Sequence, residues 1–181
     1  MAKDKVVSFS DVYALKGGIK DDRIKVYETT QMIERIERSN GYIEEKYVKT
    51  SIVPLSTSRW WSNSSGTTTV YARCEYSVRS TDGGLTVELR MDRGQGKVNY
   101  TSPTSIAVLE IVASASSFND TGGRAARNFQ SPNSGSVYST GSPCSTWFPV
   151  GHNPAFDTQV TARFSSGGSV SVTSYVQGAD D

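Results

Sequence analysis

From Thr67 onward apolar residues recur at every second position, the spacing of strands that bury one face. In TTTVYARCEYSVR, Val70, Ala72, Cys74, Tyr76 and Val78 share a face, and in LTVELRM so do Leu85, Val87, Leu89 and Met91. The STDGG between them is a turn signal. Pairing residues whose numbers sum to 165 sets Val78 opposite Val87, Tyr76 opposite Leu89 and Cys74 opposite Met91, with Thr81 to Gly84 as the loop. The same register sets Glu75 opposite Arg90 and Arg73 opposite Asp92, so apolar and charged faces agree.

A second hairpin follows the same logic near the end of the chain. FDTQVTARF aligns Phe156, Val160, Ala162 and Phe164, and SVSVTSYV aligns Val170, Val172 and Val176. A sum of 332 pairs Ala162 with Val170, Val160 with Val172 and Phe156 with Val176, leaving a three-residue loop, Ser165 to Gly167, with Gly167 left-handed. Between the hairpins, SIAVLEIVA is nearly all apolar and rich in β-branched residues, which predicts a buried central strand. Its Glu110 must then find water or a partner. The stretch from Ser114 to Pro154, rich in Ser, Asn, Gly and Pro, reads as long loops around one or two short strands such as Ser136 to Thr140.

The first 50 residues have a different texture, holding 19 of the 37 acidic and basic side chains. SDVYALKGG reads as a short helix capped by Ser10 and closed by Gly17, and Ile24 to Tyr27 as a brief strand. TTQMIERIERSNG reads as a second helix, capped by Thr30, with Met32, Ile33 and Ile36 as its apolar stripe and Asn40-Gly41 as its stop. The expectation is a mainly β fold, an antiparallel β-sandwich or jelly roll with one or two short N-terminal helices. A flattened barrel predicts the same alternation. Residues 1–50 form a charged, partly helical docking segment in this reading, and residues 51–181 an antiparallel β domain. The candidate docking residues are Val12, Leu15, Met32, Ile33 and Ile36.

Composition narrows the function classes. A chain of 181 residues buries a core without staples. Its two cysteines, Cys74 and Cys144, read as reduced thiols, in line with an opening MAKDKVVSFS that has no apolar signal region. No apolar run suits a membrane crossing. Formal charge is +1, so the chain lacks the basic excess that nucleic-acid binding requires.

Candidate chemistry is sparse. His152 is the only histidine, and without neighbouring metal-type ligands it suggests neither zinc nor, with Cys144, an activated nucleophile. Glu75 and Glu88 lie on adjacent strands of one face, where a glycosidase would need paired carboxylates, but each has an arginine nearby, as in a charge ladder. Trp60, Trp61 and Trp147 are candidate glycan or partner contacts, set against the simpler reading of core packing at the sandwich ends. The run from Gly122 to Arg127 lacks the spacing of a phosphate loop. Asn63, Asn99 and Asn119 stand in Asn-X-Ser/Thr triplets, a number expected by chance in so Ser/Thr-rich a chain. The expectation is no catalysis, no metal and no cofactor.

A short charged start, MAKDKVVSFSDVYALKGGIKDDR, followed by a Ser/Thr/Gly-rich β body resembles in general plan the accessory structural proteins of tailed bacteriophage virions, such as head fibres, capsid-decoration proteins and tail components. The resemblance implies a non-enzymatic homo-oligomer, assembled in the host cytoplasm and located on the virion. Its N-terminal segment would dock on other virion proteins, and its β domain would pack or project, with a host-surface glycan as a further contact. The alternative is a carbohydrate-binding module or adhesin domain using surface aromatics.

Overall fold

The structure, a computed structural model, describes residues 7–9, 13–15, 26–56, 67–81, 86–102, 104–118 and 120–178. Twelve strands form two antiparallel sheets: β1 (Val7–Phe9), β2 (Tyr13–Leu15), β3 (Val26–Glu37), β4 (Ile43–Ser56), β5 (Thr67–Thr81), β6 (Thr86–Tyr100), β7 (Ile106–Ser117), β8 (Asp120–Gln130), β9 (Val137–Ser139), β10 (Phe148–Pro149), β11 (Ala155–Phe164) and β12 (Ser169–Gln177). Sheet A runs β1-β3-β4-β5-β6-β10, with β9 also on β6, and sheet B runs β2-β12-β11-β7-β8. The two stack as a sandwich.

Both predicted helices are overturned. Tyr13–Leu15 is a strand on β12, and the rest of SDVYALKGG lies outside the described residues. TTQMIERIE belongs to β3, paired along its length with β4. Thr29, Thr30, Ile33 and Ile36 are β-branched, and the 14-residue β4 offers an edge whose backbone bonds outweigh a weak helical preference. A bulge between Met32 and Glu34 then sends the supposed stripe both ways: Met32 sits opposite Tyr47, Ile36 opposite Glu44, on opposite faces of β4. Residue 50 falls in the middle of β4, which is hydrogen-bonded to both β3 and β5.

The β11–β12 hairpin has the predicted register throughout, Phe156 to Val176 through Ala162 to Val170. The Phe164 amide donates to the Gly168 carbonyl across the turn, and both Gly167 and Gly168 have positive φ. The β5–β6 hairpin does not follow its prediction. Val78 faces Leu89 and Tyr76 faces Met91, two residues from expectation, and a bulge at Glu75/Tyr76 shifts the rest again, so that Cys74 faces Gly94 and Glu75 faces Arg93. Thr81 itself pairs with Thr86, so it belongs to the strand and not to the expected loop. The bulge has a purpose. It switches the buried set of β6 from Leu89 and Met91 to Gly94, Gly96 and Val98, where a straight strand would have turned Val98 outward.

Two clusters fill the interior. One joins Val53, Val70, Ala72 and Val98 of sheet A to Leu109, Ile111, Val160 and Val172 of sheet B. The other gathers Cys74, Tyr76, Leu89 and Met91 around Phe148, Phe156, Cys144 and Val176. Gly94 and Gly96 let β6 approach sheet B closely: a Cβ on Gly96 would lie 2.7 Å from Ile111 Cγ1, and one on Gly94 2.8 Å from Ala113 Cβ. SIAVLEIVA forms β7, flanked by β11 and β8, and Glu110 on its outward face bonds Arg163 at 3.2 Å. The stretch expected to be mostly loops instead continues β7 to Ser117 and adds β8, so Gly122 to Arg127 is strand. Small residues pass unrecognised as strands when neighbouring backbone, not side-chain burial, holds them.

Candidate functional site

The side of sheet A turned away from sheet B carries the densest polar arrangement among the described residues. Alternation on β5 points Arg79, Ser77 and Glu75 outward, and on β6 it does the same for Glu88 and Arg90. Arg79 Nε binds Glu88, Arg90 Nη2 binds Asp92 at 2.9 Å, and Asp92 also accepts from the Ser77 hydroxyl at 2.6 Å. Glu44 of β4 lies 3.9 Å from Arg90 and takes Arg38 at 2.8 Å. Arg93 holds Glu75 with two bonds, Nε at 2.7 Å and Nη2 at 3.2 Å. That bidentate bond pushes the Arg93 guanidinium above its ordinary range.

Trp147 is the aromatic centre of this face. Its ring lies under the guanidinium carbons of Arg79 and Arg90, at 4.4 and 4.5 Å from the ring centroid, and Arg79 also covers Tyr42 at 5.2 Å. Its neighbour Phe148 points the other way, 4 % exposed in the core opposite Leu89. The indole is half-buried and already engaged by two of the chain's own cations. Chemically the patch is a set of fixed donors and acceptors around an aromatic ring, suited to contact with hydroxyls or peptide groups.

The remaining candidates are dispersed. Trp60, Trp61 and Val12 lie outside the described residues, and Leu15 belongs to β2. Met32 and Ile36 are half-buried and Ile33 is 48 % exposed. Glu75 and Glu88 are each tied to a separate arginine, although Glu75 meets Arg93 and not the expected Arg90. Cys144 is in the core, whereas His152 is exposed in a 3-10 turn, Val150–His152, whose last carbonyl accepts the Phe118 amide at 2.9 Å. Cys74 is fully buried, and burial pushes its thiol up to about 12. Against it lies the Thr158 hydroxyl, which has no oxygen or nitrogen partner. Among the described residues no group of three or more His, Cys, Asp and Glu is placed to hold a metal.

Sequence reasoning singled out Trp147 but missed Tyr42, Arg79 and Arg90. The available signal was the row of arginines at outward positions of two adjacent strands. What joins them to Trp147 is the docking of β10 on β6, a contact between distant parts of the chain. The chain matches no family model, no curated protein and no solved structure.

Proposed function

We propose that the protein is a non-enzymatic structural component of a tailed-phage virion, docked through the part of its N-terminal segment that precedes β3 and packing or projecting its β-sandwich. The observation that supports this reading is how the N-terminal segment joins the fold. β1 and β2 are three residues each, and they pair with different sheets, β1 at the β3 edge of sheet A and β2 at the β12 edge of sheet B. Such short pairings tie a segment to sheet edges through few backbone bonds, which suits a tether. The paired charges facing outward on sheet A favour a role in packing over chemistry. Density-gradient sedimentation of lysates from phage-producing cells tests the proposal. The full chain should run with particles, and a variant lacking residues 1–25 should stay in the soluble fraction. A full chain found only in the soluble fraction would overturn it.

A second reading, carbohydrate binding, draws on Trp147, whose indole lies among guanidinium and carboxylate groups of the kind that bond sugar hydroxyls. Glycan-array binding that disappears in Trp147→Ala would favour it.

A further inference from the structure

We infer that the outer edge of β3 is a contact between two copies of this chain, formed by antiparallel pairing of β3 with β3 of the second copy about Ile36. β1 occupies this edge only at Val26, Tyr27 and Glu28, and among the described residues nothing pairs with it from Thr29 to Glu37. Its last part is Glu34-Arg35-Ile36-Glu37-Arg38, exposed apart from the half-buried Ile36. Under antiparallel pairing centred on Ile36 this sequence is its own electrostatic complement: Arg35 meets Glu37 of the other copy, Glu34 meets Arg38, and the two isoleucines meet at the axis.

The backbone agrees with the charges. The Arg38 amide donates to the Tyr42 carbonyl, so residues 38 and 36 bond inward to β4, since bonding alternates along an antiparallel pair. Arg35 and Glu37 therefore turn their N–H and C=O groups to the free edge. They are the two residues that must exchange hydrogen bonds in the proposed register. Arg35, Arg38 and Glu34 already have partners on β4 or its turn, respectively Glu45 at 3.0 Å, Glu44 at 2.8 Å and Lys46 at 3.7 Å. Glu37 has no intrachain partner among the described residues. Pairing would extend the ladder across the axis and give Glu37 its cation. An unrelated strand would meet an edge carrying alternating exposed charges, which usually deters pairing. Only a matching charge pattern turns that deterrent into attraction, and a second copy supplies one.

This contact deepens the assembly reading by naming a surface, and its test is separate from particle association. Light scattering and sedimentation of the full chain over a range of concentrations should show a dimer. Glu37→Arg should weaken it at least tenfold by setting the introduced guanidinium against Arg35 of the other copy on both sides of the axis, and adding Arg35→Glu should restore it. In parallel, Ile36→Cys should form a disulfide-linked dimer under mild oxidation, because residues facing each other in a non-hydrogen-bonded pair have Cβ atoms about 4.5–5.5 Å apart. Cys74 and Cys144 are buried and should not compete. A wild-type chain monomeric at every concentration, a dimer indifferent to Glu37→Arg, or an Ile36→Cys chain that does not cross-link would each overturn the β3 contact. A dimer indifferent to the charge change that still sediments with particles would leave the virion proposal standing. A charge-sensitive dimer found only in the soluble fraction would do the reverse.

Discussion

The two sheets bury similar apolar faces but differ in how densely charges are laid on their outward ones. Sheet B shows solvent a mixed face: short side chains, Ser114 on β7, Thr161 on β11, and Ser171 and Thr173 on β12, with the Thr161 and Ser171 hydroxyls 2.7 Å apart, stand beside Asp157, Tyr175 and the Arg163–Glu110 pair. Sheet A shows long charged ones, laid across each other so closely that Glu75 and Ser77 are buried on the side away from the core. Each sheet has a cross-strand Arg–Glu pair, yet their settings differ. The two arginines are similarly exposed, 48 % for Arg93 and 55 % for Arg163, but their glutamates are not: Glu75 is 8 % exposed and Glu110 24 %. The lesson is that the same pair of residue types is a structural element in one place and a solvated decoration in the other, because desolvation sets what losing a partner costs.

The largest effect expected lies where sheet A touches sheet B. Gly96→Val should cost about 2–4 kcal/mol in urea denaturation, since even its Cβ would overlap Ile111 and the backbone of β6 would have to retreat. Breaking the pair with the buried glutamate comes next: Arg93→Ala should cost about 1–3 kcal/mol, because Glu75 is left nearly buried without its bidentate donor. The matching change on sheet B, Arg163→Ala, should stay within about 0.5 kcal/mol, and equal losses for the two arginines would break the comparison.

Asp157 gives a pH test of the sheet B face. Burial raises its carboxyl above the ordinary range, partly offset by a hydrogen bond from Ser114. A raised carboxyl means the folded state holds the proton more tightly than the unfolded chain. Its unfavourable contribution is thus absent below the ordinary carboxylate range and develops as pH rises through the folded value. Asp157→Asn should therefore stabilise the protein slightly at neutral pH, by less than about 1 kcal/mol, with the gain vanishing in acid. Thermal melts of both proteins across that pH span check the sign. The smallest effect concerns reactivity: Cys74 should ignore thiol reagents at mildly alkaline pH until the chain unfolds.

How far the fold could be read depended on whether apolar side chains or backbone partners held each segment. β11 and β12 were legible in both pairing and turn, since unbroken alternation on both strands leaves one register that hides Phe156, Val160, Val170 and Val172 together. β6 was legible as a strand but not in register. Its apolar positions change parity between Met91 and Val98, a trace of the bulge that only pairing with β5 locates. β3 beyond Tyr27 and all of β8 were missed as strands, because Met32, Ile33 and Ile36 fit a helical stripe and Gly122 to Arg127 offers almost nothing to bury. At the candidate site, Trp147 was visible as a surface aromatic, while Arg79, Arg90 and Tyr42 were not visibly its neighbours.

Residue order alone settled that this chain is mainly β and which residues share the core faces of β5, β11 and β12. Those properties follow from side-chain period and local turn chemistry. Tertiary structure decided that the charged N-terminal stretch becomes β3 and β4, that a bulge resets β6, and that arginines of β5 and β6 close over Trp147. Each of these depends on which strand lies alongside, and backbone edges carry no mark in the sequence of the partner they will accept.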